Sequence, residues 1–148
     1  MKIQPLTFGD VLWASVAEYA HNCSWGAGKI LSKQMLEDEF NDLERVFVAI
    51  DDSNIAGYCT FAATDCIPDV SYTPYISFVF VGEEYRGKRL GEKMICCALK
   101  YAKELGFDSV YLVSDHENLY EKYGFIKVDE KPAPWNPDTF ETIFMHLT

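Results

Sequence analysis

The stretch from Tyr75 to Leu105 constrains the fold more than any other part of the chain. Tyr75–Val81 is apolar at almost every position, the pattern of a central strand covered on both faces. It runs through Gly82-Glu83-Glu84-Tyr85 into Arg86-Gly87-Lys88-Arg89-Leu90-Gly91, where the period changes to that of a helix. From there Leu90, Met94, Ala98, Tyr101, Ala102 and Leu105 share one arc, with Glu92, Lys93, Lys100 and Lys103 opposite, and Gly106 supplies the C′ residue. A buried strand feeding a glycine-bearing turn and then a helix N-terminus builds an anion site. The first amides of a helix have no intrahelical acceptor, the macrodipole adds about half a positive charge, and glycine lets a ligand approach the backbone. Arg86, Lys88, Arg89 and Lys93, four of the chain's 13 basic residues, fall within eight positions here, although the net charge of the whole is −10. The turn lacks both the G-K-[ST] ending of a P-loop and the G-x-G-x-x-G of a dinucleotide fold.

The remaining segments arrange themselves around this unit. Lys2–Leu6 reads as a strand. Thr7 and Asp10 form a capping-box pattern opening a helix that runs to about Asn22, and Ser32 is placed to cap a second helix with Leu36, Phe40 and Leu43 on one face. Trp25, in the intervening Ser24–Gly28 loop, either lines a substrate pocket or folds back onto the core edge. Arg45–Ile50 and Ile55–Thr64 pair across the turn Asp51–Asn54. Ser109–Val113 is another buried strand, and Asn118–Tyr123 is a short helix closed by Gly124. Phe125–Val128 and Thr142–Leu147 are closing strands, with the proline-rich Lys131–Pro137 a loop between them. This order describes an α+β sandwich around one mixed sheet, and 148 residues, 49% hydrophobic, fit a single domain over 1–148.

Charge and cysteine usage narrow the function classes. A net charge of −10 argues against nucleic acid or an anionic membrane as the main partner and would attract a cationic acceptor. No apolar run reaches the roughly 18 residues of a membrane span, and Met1–Pro5 lacks the apolar stretch of a signal peptide, so a cytoplasmic location is expected. The five cysteines, Cys23, Cys59, Cys66, Cys96 and Cys97, form no C-x-x-C pair and read as reduced thiols with no metal site.

Two motifs resemble one known family. Phe78–Gly91 resembles the acetyl-CoA motif of the GNAT N-acetyltransferases, [Q/R]-x-x-G-x-[G/A] after a valine-ended strand, with Arg89 in the slot of the first motif glycine. About thirty residues on, Leu119-Tyr120-Glu121-Lys122-Tyr123-Gly124-Phe125 is similar to that family's Y-x-x-x-G-F signature, and the element order is similar from end to end. The resemblance implies a GNAT-like mixed, mostly antiparallel twisted sheet with helices on both faces. In it Tyr75–Val81 and Ser109–Val113 form a central parallel pair that splays around the pantetheine arm of acetyl-CoA. It further implies that backbone groups of Val79, Phe80 and Val81 bind that arm and that Arg86, Gly87, Lys88, Arg89, Leu90 and Gly91 hold the pyrophosphate, the Arg89 amide being presented at helical dihedrals. Tyr120 is implied as general acid for the departing thiolate.

The base stays open. The central strand carries no carboxylate, which leaves Asp65, Glu83, Asp115, His116 or a chain of waters. The implied acceptor is an amine, either a small molecule or a protein amino group, selected by Trp25, Tyr72, Tyr75 and the surrounding loops. The alternative is a catalytically silent domain that binds CoA as a sensor or partner-binding module. Dimers are common in the family, so the resemblance also allows a homodimer.

Overall fold

The apolar runs sort into one seven-stranded sheet in a computed structural model that describes all residues, Met1–Thr148. The elements are β1 (Lys2–Leu6), α1 (Trp13–Asn22), α2 (Ala27–Leu36), β2 (Arg45–Asp51), β3 (Asn54–Ala62), β4 (Tyr75–Val81), α3 (Leu90–Glu104), β5 (Ser109–Ser114), β6 (Ile126–Ala133) and β7 (Asn136–Leu147). Short 3₁₀ turns occupy Glu83–Tyr85 and Tyr120–Tyr123. The strand order is β1-β2-β3-β4-β5-β7-β6, antiparallel throughout except for β4 and β5. Val16, Leu31, Met35 and Tyr58 are buried where α1 and α2 cover one face. Ile76, Met94, Ala98 and Phe144 are buried under α3 on the other. Each of the larger aliphatic and phenylalanine side chains contributes about 1.5–3 kcal/mol when fully buried, so the two cores clamp the sheet from both sides. No helix is long and apolar enough to cross a membrane.

Four expectations are corrected. The Thr7–Asp10 box closes a turn ahead of α1, with the Thr7 amide donating to Asp10 Oδ2 at 2.6 Å, and the helix itself starts at Trp13. Ser32 does not cap α2: it lies buried in the middle of that helix, which begins at Ala27, and Leu36 and Leu43 are exposed. The glycines suggested a loop, but Gly28 is where α2 crosses α1, since a Cβ there would stand 2.1 Å from the Ala20 carbonyl oxygen. Lys131–Pro137 is not an open loop either. It is the tip of a β6–β7 hairpin in which Pro132 faces Phe140. Because β6 is the last strand of the sheet, a proline there removes no amide that an outer neighbour needs.

The centre of the sheet opens as the resemblance implied. β4 and β5 share one registered pair, Tyr75 opposite Tyr111, supported by the Tyr111 amide donating to Pro74 O at 2.9 Å. Beyond it the two strands pair no further. On its other side β4 shifts register against β3 between Tyr58 and Thr60, and Phe78 adopts φ 49°. The extra residue makes a bulge that re-aims the strand. A left-handed conformation in a bulky residue costs about 1–2 kcal/mol, and such strain concentrates at sites of function.

Candidate active site

The opened strand pair leads directly into the turn before α3. Gly87 turns at φ 80° and Arg89 at φ 58°, ψ 29°. Arg89 is thus left-handed, not helical as expected, and this explains why glycine suits the position. The first helical hydrogen bond runs from the Lys93 amide to the Arg89 carbonyl, 3.1 Å, so the amides of Leu90, Gly91 and Glu92 precede it and are free for an anion. A Cβ on Gly91 would lie 3.7 Å from Val81 and 3.8 Å from Val79, which puts this first turn against the end of β4.

The basic side chains of the turn divide into two kinds. Arg89 is committed to Glu92 through a two-pronged pair, Nε to Oε1 at 2.6 Å and Nη2 to Oε2 at 2.9 Å. That hydrogen-bonded pair lowers the Glu92 carboxyl and raises the arginine. Arg86 folds back over the Phe80 ring and its Nε donates to Val81 O at 2.9 Å. Its side chain is therefore directed at the strand end, and that carbonyl is already engaged. Lys88 and Lys93 are exposed, which leaves the amide row and these two ammonium groups as the open anion-binding features.

Tyr120 stands on the 3₁₀ turn after β5, 7% exposed, with its ring edge-on to Phe125 and His116. Desolvation pushes its hydroxyl up to about 12, with smaller contributions from Tyr123 and Cys59. The phenol keeps its proton throughout the neutral range and is a donor.

A cavity of about 470 Å³ opens on the opposite side of β4, between α2, the ends of β3 and β4, and the β6–β7 hairpin. Trp25, Phe78 and Trp135 supply its aromatic surface. Trp25 is stacked on Phe80 at 6.3 Å, so it both lines the pocket and packs on the core edge. Asp65 is fixed in this cavity: Ser77 Oγ donates to its Oδ2 and the Cys66 amide to its Oδ1, both at 2.5 Å. Of the other candidate bases, His116 is held by Ser114, Nδ1 to Oγ 2.9 Å, and is exposed beside Asp115. Glu83 bonds Ser24 and is lowered by it. It lines a separate cavity of about 830 Å³ with Tyr19 and Asn54. Tyr72 and Tyr75 are not in the pocket. Tyr72 donates to Asp129 at 2.8 Å, and the Tyr75 hydroxyl is buried without a partner.

Sequence reasoning missed Glu141 and Trp135. Glu141 lines the cavity and is only 8% exposed. Desolvation, then Asp115 and Asp65, raise its carboxyl. Its cross-strand neighbour Lys131 turns instead to Asp129, 3.8 Å away. The available signal was the acid on the same strand face as the buried Ile143.

The sequence model of the Acetyltransferase (GNAT) family matches residues 11–125. Solved structures agree in fold. The aminoglycoside 6′-N-acetyltransferase from Enterococcus faecium superimposes with a TM-score of 0.75 at 16% identity, covering 99% of this chain and 97% of that one. A GNAT family N-acetyltransferase from Escherichia coli in complex with CoA gives 0.69 at 21%, covering 99% and 80%. A GNAT acetyltransferase from Elizabethkingia anophelis with acetyl-CoA bound gives 0.68 at 16%, covering 99% and 97%. No curated protein sequence matches the chain significantly.

Proposed function

Because the chain belongs to the GNAT acetyltransferase family, we propose that it transfers the acetyl group of acetyl-CoA to an amine, which enters from the cavity behind β4. The observation that carries this reading is the β4–β5 pair that opens after Tyr75 and points into the free amides of Leu90–Glu92. An extended thioester substrate needs unpaired strand backbone for its arm and an anion cradle for its pyrophosphate, and these occur in sequence.

Acetyl-CoA supplies the acetyl group as a thioester. The acceptor's neutral nitrogen forms the new C–N bond at the carbonyl carbon as the C–S bond breaks. The proton released from nitrogen passes to a carboxylate in the cavity, for which Asp65, bonded to Ser77 on β4, is our candidate. Tyr120 donates a hydrogen bond to the departing thiolate, and the proton taken from nitrogen returns from the carboxylate through water to give the free thiol. Products are the amide and CoA. The carboxylate absent from β4 is thereby replaced by one held against β4 by Ser77.

Calorimetric titration of CoA into the wild type and a Lys88→Ala, Lys93→Ala double variant tests the reading. Both side chains are exposed, so melting should be unchanged. Two ammonium groups open to the pyrophosphate are removed, and CoA affinity should fall at least about tenfold. A wild type that fails to bind CoA, or a variant that binds it equally well, overturns the assignment.

A further inference from the structure

The cavity behind β4 has a chemistry more specific than an amine site requires. Its lining contains four carboxylates, Glu39, Glu44, Asp65 and Glu141, and no lysine, arginine or histidine. Two of the four are committed to backbone or hydroxyl donors: Glu44 accepts the Asn41 and Ala63 amides at 2.8 and 2.7 Å, and Asp65 accepts Ser77 and Cys66. Glu141 is different. As a residue it is only 8% exposed, it opens into this cavity, and its carboxylate makes no hydrogen bond or ion pair, with Asp115, Asp65 and the Cys66 thiol as its titratable neighbours. A carboxylate opening into a cavity beside other acids, with no cation of its own, is stabilised in its charged form by a positive group that arrives from outside. Trp25, Phe78 and Trp135 present ring surface in the same space, which favours an organic cation. The acids do not gather closely enough for a metal ion.

The geometry points to a small polycationic amine as the acceptor, with one amine directed at β4 for acetylation and a second, protonated one held by Glu141 between the rings of Trp25 and Trp135. This rests on the acetyl-transfer reading for the reaction but not for the binding. A monoamine can fill only the reacting position. A di- or triamine fills both, and its second ammonium relieves the charge on Glu141.

The test is calorimetric titration of spermidine and of pentylamine into protein saturated with CoA. Spermidine should bind at least about tenfold more tightly than pentylamine, as expected for an added charge-assisted contact. Glu141→Gln should weaken spermidine at least about fivefold and pentylamine less than about twofold, with a melting temperature that does not fall. Trp135→Ala, at a position 66% exposed and hence safe for the fold, should act in the same sense. Glu104→Gln, at the end of α3 and outside the cavity, should change neither. Equal affinity for the two amines overturns the proposal, as does an equal loss for both in Glu141→Gln or a matching loss of spermidine in Glu104→Gln. Failure of CoA itself to bind, with the spermidine pattern intact, strikes the transfer reading alone.

Discussion

Tyr120→Phe separates catalysis from packing because it removes one oxygen and leaves the ring. That ring contacts Phe125, Phe144 and Tyr123 at centroid distances of 6.0, 5.9 and 6.2 Å, all of which phenylalanine preserves. No hydrogen bond contributes to the hydroxyl's shift, so the fold has none to lose, and stability should stay within about 1 kcal/mol. At this size that is a melting shift below roughly 4 °C. The catalytic cost follows from the acidity of the group. A phenol pushed up to about 12 faces a thiolate whose conjugate acid lies near 8.5, so complete transfer is uphill by about 3.5 units, or roughly 5 kcal/mol. Most of the benefit then comes from a hydrogen bond to developing negative charge, about 1.5–3 kcal/mol, or about 10- to 150-fold in rate. The low end of general-acid assistance, about 10²-fold, is the expected loss. The assay is release of CoA thiol at saturating acetyl-CoA with the amine that gives wild-type turnover, and CoA affinity should be unchanged. If kcat in the folded variant stays within about threefold of wild type, Tyr120 is a core aromatic and the reasoning fails.

Two other perturbations address residues that strain the fold. Arg89 is left-handed at φ 58°, which costs a side-chain-bearing residue about 1–2 kcal/mol. Arg89→Gly should therefore be more stable than Arg89→Ala by about 1 kcal/mol, opposite to the order within a helix. Calorimetric melting that puts the alanine variant higher would refute the assigned backbone. Glu141 has its folded pKa raised by burial and by Asp115 and Asp65, so between the unfolded and folded values the native state binds more protons and stability falls as pH rises. Glu141→Gln should accordingly raise the melting temperature above that window and lose its advantage below the ordinary glutamate value of about 4.3. A gain independent of pH would show that charge is not the cause.

What the sequence reveals of this site depends on whether local pattern or distant packing decides each part. The strand, turn and helix of Tyr75–Leu105 are legible because hydrophobic period, glycine spacing and helix-terminus chemistry all act within neighbouring residues. The opening of β4 from β5 came from the family resemblance. Periodicity gives a buried strand, whereas the single pair at Tyr75 and Tyr111 and the bulge at Phe78 depend on partners far away in the chain. The start of α2 was misread for the same reason: Gly28 looks like a loop residue until Ala20 is packed against it. The proline-rich tip concealed the most informative residues. Pro132 lies on the outermost strand, where its missing amide does no harm, and the hairpin it disguises carries Trp135 and Glu141 into the cavity. The two halves of the site thus differ in kind. The cradle is local sequence chemistry shared with the family motif, while the cavity behind β4 is assembled from α2, the β3 and β4 ends and a terminal hairpin. Its surplus of carboxylate over cation appears only when those segments meet, so the charge of the proposed acceptor rests on the folded arrangement and on no single motif.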